Sequence, residues 1–239
     1  MTTGVYPLYK KVGETPLVAL ERLRVFLGLD PEVPMTYAGR LDPLAEGVLL
    51  ILVGETCKEK EQYLAYDKIY EATILLGVSS DTYDILGIIT EPTDEIVVPE
   101  IHTVENFLDS AIGTHEKSYP KFSSKRLARD DDEEVLHETT LHRWDTLTVS
   151  SVDCVDVVEH IERVVEELPE GFRKEEILRS TDVLTHADYP TLSLILHTGT
   201  GFYVRTLAHE LGESLGTGAV LYALKRTRLG PYGVEDCVV

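Results

Sequence analysis

The sequence contains few of the residues that build disulfide frameworks and metal centres. Cysteine occurs three times in 239 residues, at Cys57, Cys154 and Cys237, and no two of these form a CxxC pair. The eight histidines are scattered, and the closest pair, His137 and His142, has no third ligand at metal-binding spacing. Because zinc sites and disulfide scaffolds need clustered or paired ligands, the sequence predicts reduced thiols and no bound metal.

Long apolar runs are also missing. No run approaches the roughly 18 residues that a membrane-spanning helix needs. Residues 1–10 have neither the apolar core of a signal peptide nor the arginine-rich character of a transit peptide. Since 43% of the residues are hydrophobic, the chain can still bury an ordinary core. We therefore expect a cytoplasmic protein without membrane contact, a single domain spanning residues 1–239, and a monomer.

Basic residues are scarce, with 22 Lys and Arg against 42 Asp and Glu and a net charge of −20. This balance argues at first against a nucleic-acid partner, because most such proteins are basic. The basic residues are clustered, however, at Lys10-Lys11, Lys117 to Arg129 and Lys225 to Arg228, whereas Asp130 to Glu134 is an unbroken acidic run. Charges are screened over about 8 Å at physiological salt, so a local basic rim is compatible with an acidic whole. Each cluster alone favours a plain solvated face.

Glycine-rich phosphate-binding loops are absent as well. Gly199, Gly201, Gly216 and Gly218 form neither GxGxxG after a strand nor GxxxxGK[ST], which argues against a nucleotide cofactor. The predicted elements lack the strand–helix alternation of a doubly wound sheet. We therefore expect an α+β fold with a mixed, mainly antiparallel central sheet flanked by helices.

Hydrophobic periodicity and turn residues place the elements along the chain. Thr15-Pro16 is a typical helix start, and Gly28 and Gly216 are typical helix ends. An exposed loop is expected over residues 118–138, and a turn-rich acidic loop over 79–87. Residues 6–12 are an entry strand or a loop. Helices are predicted at 16–28, 55–65, 104–112, 160–179 (with breaks at Pro169 and Gly171) and 204–215, and strands at 47–53, 68–76, 88–89, 97–98, 144–158 and 191–197.

The run Ala38 to Gly47, AGRLDPLAEG, is the segment that indicates a reaction. An aspartate between Leu41 and Pro43 is by itself most often a helix cap or a turn residue. This run, however, resembles the catalytic motif of TruB-type tRNA pseudouridine synthases nearly residue for residue. Further segments resemble that family in the same order: Tyr9 to Pro16, Asp67 to Ala72, Gly77 to Gly87, Gly201 to Leu207 with its continuation Leu221 to Pro231, and a weaker match at Pro120 to Ser124.

The resemblance implies that uracil is detached from the ribose at N1, rotated and rejoined through C5, with neither metal nor cofactor. It implies that Asp42 is the catalytic carboxylate, acting by covalent attack or by removing a sugar proton. Arg205 matches the arginine that pairs with this aspartate, keeping it charged and oriented, unless it only extends from an amphipathic helix. Tyr70 matches the tyrosine that stacks on the target base, unless it is a half-buried strand residue.

Four residues are expected to contact the RNA. Lys10 would support the catalytic loop or touch phosphate, with a plain surface lysine as the alternative. Tyr203 would pack against the nucleotide or the core, and Arg40 lies within the motif itself. Tyr37 stands where the family usually has the His that fills the gap left by the flipped base. A planar Tyr can stack there but brings no positive charge near neutral pH.

Other departures from the family pattern affect RNA binding more than chemistry. Lys11 replaces a usual Pro and Phe122 a usual Tyr, and no room is left after the last motif for a PUA-type RNA-binding module. The missing module also argues against a guide-RNA-dependent relative. The leading function is a synthase for uridine 55 in the T-arm of tRNA. The alternatives are an RNA-binding protein or tRNA-folding chaperone with little or no catalysis, and a synthase for another uridine.

Overall fold

A computed structural model describes residues 3–90, 96, 98–120, 122 and 136–238 of the chain. Its helices are α1 (Pro16–Phe26), α2 (Lys60–Leu64), α3 (Ile101–Ala111), α4 (Cys154–Glu167), α5 (Lys174–Ser180) and α6 (Val204–Leu215). Its strands are β1 (Gly4–Lys10), β2 (Met35–Ala38), β3 (Ala45–Val53), β4 (Lys68–Leu76), β5 (Ser79–Ser80), β6 (Ile89–Thr90), β7 (Gly113–Ser118), β8 (Leu136–Asp153), β9 (Asp188–Thr198), β10 (Ala219–Leu229) and β11 (Tyr232–Gly233).

Nine strands form a central sheet in the order β1-β3-β10-β4-β9-β8-β7, with β2 paired to β3 and β11 to β10. Strands β5 and β6 form a separate two-stranded sheet. Every pairing in the central sheet is antiparallel except that of β3 with β10. The predicted α+β class with a mainly antiparallel sheet is therefore confirmed. In the described part of the chain, no helix is long and apolar enough to cross a membrane.

Strand β3 is continuously apolar from Val48 to Val53 because both of its faces are covered there. Leu49, Ile51 and Val53 pack with Leu20 and Leu23 of α1 on one face. Val48, Leu50 and Leu52 pack on the other face with Tyr63 and Leu229. A strand buried on both faces carries a continuous hydrophobic run instead of an alternating one, which is why the sequence predicts this strand well.

Local capping explains why two helices lie where the sequence predicts them. The Thr15 hydroxyl accepts a hydrogen bond from the Val18 amide at 3.2 Å, and Pro16 occupies the first turn of α1. Helix α6 ends at Gly216, whose φ of 69° lies in the left-handed region that glycine adopts most easily. Both boundaries depend on neighbouring residues alone, so they can be read from the sequence.

Three predicted elements need correction. The strand predicted over 144–158 ends at Asp153, because this side chain accepts a hydrogen bond from the Val155 amide at 2.7 Å and caps α4. The helix predicted over 160–179 is divided into two helices, α4 and α5, and the predicted breaks at Pro169 and Gly171 lie between them. The loop predicted over 118–138 is strand at Ser118 and from Leu136 onward, and its interior lies largely outside the described residues.

Two further differences concern strands. Strand β6 replaces the predicted strand at 88–89, whereas Val98 is not in a strand and Val97 lies outside the described residues. Strand β10 was not predicted, although it lies near the middle of the sheet between β3 and β4. Its sequence, AVLYALKRTRL, mixes apolar and basic residues without a regular alternation, and two register shifts against β4 account for that.

Candidate active site

A cavity of about 400 Å³ lies where β3, β4 and β10 meet the start of α6. Six of the seven residues expected to act in catalysis or RNA binding line it: Tyr37, Arg40, Asp42, Tyr70, Tyr203 and Arg205. Lys10 is the exception and lies beneath the loop that carries Asp42. The structure thus brings six of these residues together from three separate segments of the sequence.

Asp42 lies in the loop between β2 and β3 and is held by its own backbone. The Asp42 carbonyl accepts a hydrogen bond from the Ala45 amide at 3.0 Å, and the Pro43 carbonyl accepts one from the Gly13 amide at 2.9 Å. Leu41 and Leu44 on either side are buried. The carboxylate is 33% exposed, so it is anchored by the loop and still open to a ligand in the cavity.

Arg205 provides the positive charge beside this carboxylate from the first turn of α6. Its Nε lies 3.2 Å from Asp42 Oδ2, and its side chain is 5% exposed. The Nε–H direction does not meet hydrogen-bond geometry, so the contact is an ion pair. Arg205 Nη1 and Nη2 donate to the backbone carbonyls of Thr82 at 2.9 Å and Phe122 at 3.1 Å. The guanidinium is therefore fixed on two sides before any substrate binds.

Asp84 is a second carboxylate of the cavity, and the sequence assigned it no role. It is 5% exposed, and its Oδ1 accepts hydrogen bonds from the Thr82 hydroxyl at 2.7 Å and the Leu86 amide at 3.0 Å. Burial raises the pKa of Asp84 to about 6, against the opposing effect of the Arg205 guanidinium. The motif Gly77 to Gly87 contains this residue, but only the folded chain shows that it faces Arg205.

Tyr70 lies on β4 with its side chain on the cavity face of the sheet. It is 6% exposed and pairs with Leu196 of β9 and Arg226 of β10 in the sheet register. Lys68, two residues earlier on the same face, donates to the Leu64 carbonyl at 2.9 Å. Burial lowers the pKa of Lys68 to about 8. An aromatic ring beside a carboxylate–guanidinium pair is an arrangement that can hold a flat base next to a charged catalyst.

Two family models match the chain. Residues 32–162, more than half of it, match the TruB family pseudouridylate synthase N-terminal domain, and residues 205–239 match the tRNA pseudouridylate synthase B C-terminal domain. The chain belongs to the TruB family of pseudouridylate synthases. The first match contains Asp42 and Tyr70 and the second contains Arg205, so each of the three lies within matched sequence.

Comparison with individual proteins agrees with this assignment. The chain is 29% identical to tRNA pseudouridine synthase B of Protochlamydia amoebophila, covering 98% of this chain and 77% of that protein. It is 30% identical to tRNA pseudouridine synthase B of Bacillus licheniformis, covering 100% and 69%. A chain from a Cbf5-Nop10-Gar1 complex shares the fold at 19% identity and a TM-score of 0.59, covering 97% of this chain. The TruB-family chain spans about half (50%) of the length of that solved chain.

Lys10 lies beneath the Asp42 loop of this TruB-family chain, so the alternative of a plain surface lysine is wrong. The side chain is fully buried, and Nζ donates to the carbonyls of Lys11 at 3.0 Å, Pro43 at 3.4 Å and Ala45. Pro43 directly follows Asp42, so Lys10 supports the loop on that side. Its burial leaves no exposed surface for a phosphate contact in this structure. Burial also lowers the pKa of Lys10 to about 7.

We expect Lys10 to make stability depend on pH. The unfolded pKa is 10.5 and the folded one about 7, so the unfolded chain binds more protons between these values. The free energy of unfolding therefore rises with pH between about pH 7 and 9.5, by at most about 1.4 kcal/mol per pH unit from this group. In Lys10→Met the rise should be smaller, as measured by urea unfolding at several pH values. Lys11→Met, at the exposed neighbour, should keep the wild-type slope; equal slopes in both variants would contradict the assignment.

The remaining aromatic residues form the walls of the cavity. Tyr37 is half-buried on β2, with Lys60 Nζ 5.5 Å from its ring centroid. The Tyr203 ring meets the rings of Tyr119 and His137 edge-on at 6.1 and 5.7 Å. Tyr203 thus packs against neighbouring rings and also lines the cavity, while its contact with a nucleotide stays a prediction.

The predicted basic clusters do not all face solvent. Lys10 and Arg226 are buried, and residues 121 and 123–135 lie outside the described part of the chain. Two carboxylates, Asp42 and Asp84, line the cavity. Five cationic side chains also line it: Arg40, Lys60, Lys68, Arg205 and Arg226. Positive charge is therefore concentrated at the site in a chain whose net charge is −20. Within the described residues, no three His, Cys, Asp or Glu side chains are grouped so that they could hold a metal ion.

Proposed function

We propose that this chain converts uridine to pseudouridine in tRNA, at position 55 of the T-loop. The observation that carries the proposal is the ion pair between Asp42 Oδ2 and Arg205 Nε at 3.2 Å, in a cavity that Tyr70 also lines. The relatives from Protochlamydia and Bacillus, both tRNA pseudouridine synthase B, support tRNA as the substrate. Position 55 is the site that the resemblance of the motifs implies.

The reaction is an isomerisation, so atoms and electrons balance within the substrate. The bond between the ribose and N1 of uracil breaks, the base turns, and a bond to C5 forms. N1 gains a proton and C5 loses one. Asp42 assists either by attacking the sugar or by removing a sugar proton, and both roles need a carboxylate that is held in place and open to the substrate. The anchored loop and the 33% exposure of Asp42 suit both.

Arg205 supports Asp42 by electrostatics. The two backbone carbonyls that bind Arg205 fix its guanidinium, so its charge is already oriented when RNA binds. The same charge opposes the effect of burial on the pKa of Asp84, which also lines the cavity. Because both partners are held by the fold, the carboxylate does not need to reorganise at the moment of reaction.

Tyr70 and Tyr37 are placed to handle the base. A uridine in a folded T-arm must leave its stack, at a cost of a few kcal/mol. Stacking on the Tyr70 ring would stabilise the flipped base by about 1–3 kcal/mol, which offsets part of this cost. Tyr37, at the edge of the cavity and beside Lys60, is positioned to enter the gap that the flipped base leaves. Its ring can stack there, and the Lys60 ammonium supplies the positive charge that Tyr37 itself lacks.

In vitro modification of a tRNA transcript tests the proposal. Purified protein is incubated with unmodified tRNA, and pseudouridine is mapped by carbodiimide-dependent primer extension. We expect one new stop, at the T-loop uridine. A stop at another uridine would contradict modification at position 55 but would still support the formation of pseudouridine. Measurable tRNA binding without any stop would overturn the enzymatic proposal in favour of an RNA-binding or folding role.

RNA binding should weaken steeply with salt despite the acidic total charge. Each phosphate neutralised by a cation releases bound counterions, so log K falls with log salt by about 0.7–0.9 per contact. We expect a slope of about −2 to −3, because few of the cavity cations are solvent-exposed. The affinity of catalytically inactive Asp42→Asn protein for tRNA, measured by fluorescence anisotropy between 50 and 300 mM KCl, provides the slope.

Arg40 allows a matched comparison, because it is exposed and lines the cavity. Arg40→Gln in the Asp42→Asn background should make the slope of log K against log salt less negative by about 0.7–0.9, the value for one phosphate contact. Arg179→Gln, at an exposed arginine of α5 paired with Glu175, should leave the slope unchanged. An affinity independent of salt, or equal slopes in both variants, would contradict a phosphate contact at Arg40.

A further inference from the structure

Arg226 is a buried charge that the reaction described above does not use. It is 1% exposed, and the described residues contain no carboxylate within ion-pair distance of its guanidinium. Burying a charge without a counter-ion is costly unless strong hydrogen bonds replace the lost hydration. Hydrogen bonds replace the lost hydration of Arg226: Nε donates to the Val48 carbonyl at 2.7 Å and Nη2 donates to the Gly39 carbonyl at 2.5 Å.

These acceptors belong to the catalytic segment. Nη1 makes a longer contact of 3.4 Å to the Arg40 carbonyl, two residues before Asp42. The guanidinium therefore ties the backbone before the aspartate to Val48 of β3 after it. Lys10 binds the Pro43 and Ala45 carbonyls, which lie between these points. Two buried cations from opposite ends of the chain thus hold both flanks of the Asp42 loop.

The glycines of the motif fit the same interpretation. Gly47 has φ = +106°, and a Cβ there would lie 2.2 Å from the Arg226 backbone oxygen, so only glycine lets β10 approach this closely. Gly39 has φ = +73°, and a Cβ there would lie 3.5 Å from Arg226 Nη1. A register shift between Arg226 and Arg228 interrupts the pairing of β10 with β4 at this point, and such bulges redirect side chains.

We propose that Arg226 is a positioning residue, which sets the distance of Asp42 from the reacting sugar by holding the Gly39 and Arg40 carbonyls. It touches the loop backbone and acts through Asp42. A displacement of about 1 Å at a catalytic group can cost about 10²-fold in rate. The inference rests on the proposed synthase activity, because it concerns the geometry of that reaction.

Arg226→Lys tests this role, because it keeps the charge and removes the fork that reaches several carbonyls. We expect kcat on tRNA to fall by about 30- to 100-fold, with KM changed less than about threefold. Arg226→Ala should be slower still, and added guanidinium should restore part of its kcat by occupying the empty site. Arg179→Lys and Arg179→Ala, at an exposed arginine on α5, should show wild-type kcat and no response to guanidinium.

Each possible outcome either supports or overturns the positioning role of Arg226. A raised KM at unchanged kcat would overturn the proposal and make Arg226 an RNA contact. Unchanged constants in Arg226→Lys would overturn it directly. Loss of folding in both variants, with no recovery of kcat in guanidinium, would show that the residue serves stability alone. Wild-type protein assayed alongside separates these results from failure of the proposed function, because in that case it too would form no pseudouridine.

Discussion

Replacing Asp42 by Asn should lower pseudouridine formation by at least about 10³-fold while leaving tRNA affinity within a few-fold of wild type. The amide has nearly the same shape as the carboxylate, but it neither attacks a sugar carbon nor accepts a proton from it. Removal of a catalytic base typically costs about 10²–10⁴ in rate, and loss of covalent attack adds to this. Single-turnover modification of a tRNA transcript and anisotropy-based binding would measure the two quantities separately.

Stability provides the internal check on Asp42→Asn. The side chain is 33% exposed, and its one ion pair is with Arg205, which keeps its two carbonyl acceptors and the neighbouring Asp84. Thermal unfolding should therefore change little. Asp156→Asn, at an exposed position of α4, controls for the loss of one negative charge and should retain full activity. Substantial activity in Asp42→Asn would refute the assignment of the catalytic carboxylate.

Replacing Arg205 should affect both rate and stability. A lysine keeps the charge but lacks the fork that meets Asp42, the Thr82 carbonyl and the Phe122 carbonyl together. We therefore expect Arg205→Lys to lower the single-turnover rate by about 10²-fold. Arg205→Met breaks the ion pair with Asp42 and removes the charge that opposes the effect of burial on Asp84. Breaking a buried pair typically costs about 3–5 kcal/mol of unfolding free energy, which is an upper bound here because Asp42 is 33% exposed, and urea titration measures the loss.

The pH dependence of Arg205→Met gives a readout that packing loss alone would not produce. In wild type the folded pKa of Asp84 is about 6 and the unfolded value 3.8, so the folded chain binds more protons between them and stability falls as pH rises through this window. Without the Arg205 charge the folded pKa rises further, so the fall becomes larger and extends to higher pH. Arg179→Met, at an exposed arginine, should keep the wild-type profile. An unchanged profile in Arg205→Met would contradict the electrostatic link between the two residues.

Features that depend on short stretches of chain could be predicted from the sequence. Strand β4 and helix α6 have the predicted bounds, because alternation, a cap and a terminal glycine act within a few residues. The motif around Asp42 is also local. A turn that presents a carboxylate between two buried leucines needs a fixed order of residues, so this run, together with the other segments that resemble the family in the same order, allowed the family to be predicted. Pairing of Arg205 with Asp42 was inferred from the resemblance, and the structure places the two in contact.

Features that depend on distant partners could not be predicted. Arg226 and Arg228 are alike in a basic cluster, yet one is buried against Gly39, 187 positions away, and the other is exposed. Asp84 is one of two aspartates in the segment Gly77 to Gly87, and its raised pKa arises from burial, against the opposing effect of Arg205. Lys10 reads as a surface lysine until β1 and the Asp42 loop enclose it.

The sequence by itself therefore determined the family and the elements whose signals are local, and it led to the hypothesis that Asp42 is the reacting carboxylate. Only the tertiary structure decided which charges line the cavity, which hold the backbone and which remain in water. The physical reason is that a charge acquires its role from burial and from its partners. These partners lie far along the chain, as with Arg205 and Thr82, which are 123 positions apart. Composition reports the sum of the charges as −20, whereas folding concentrates cations around a single cavity.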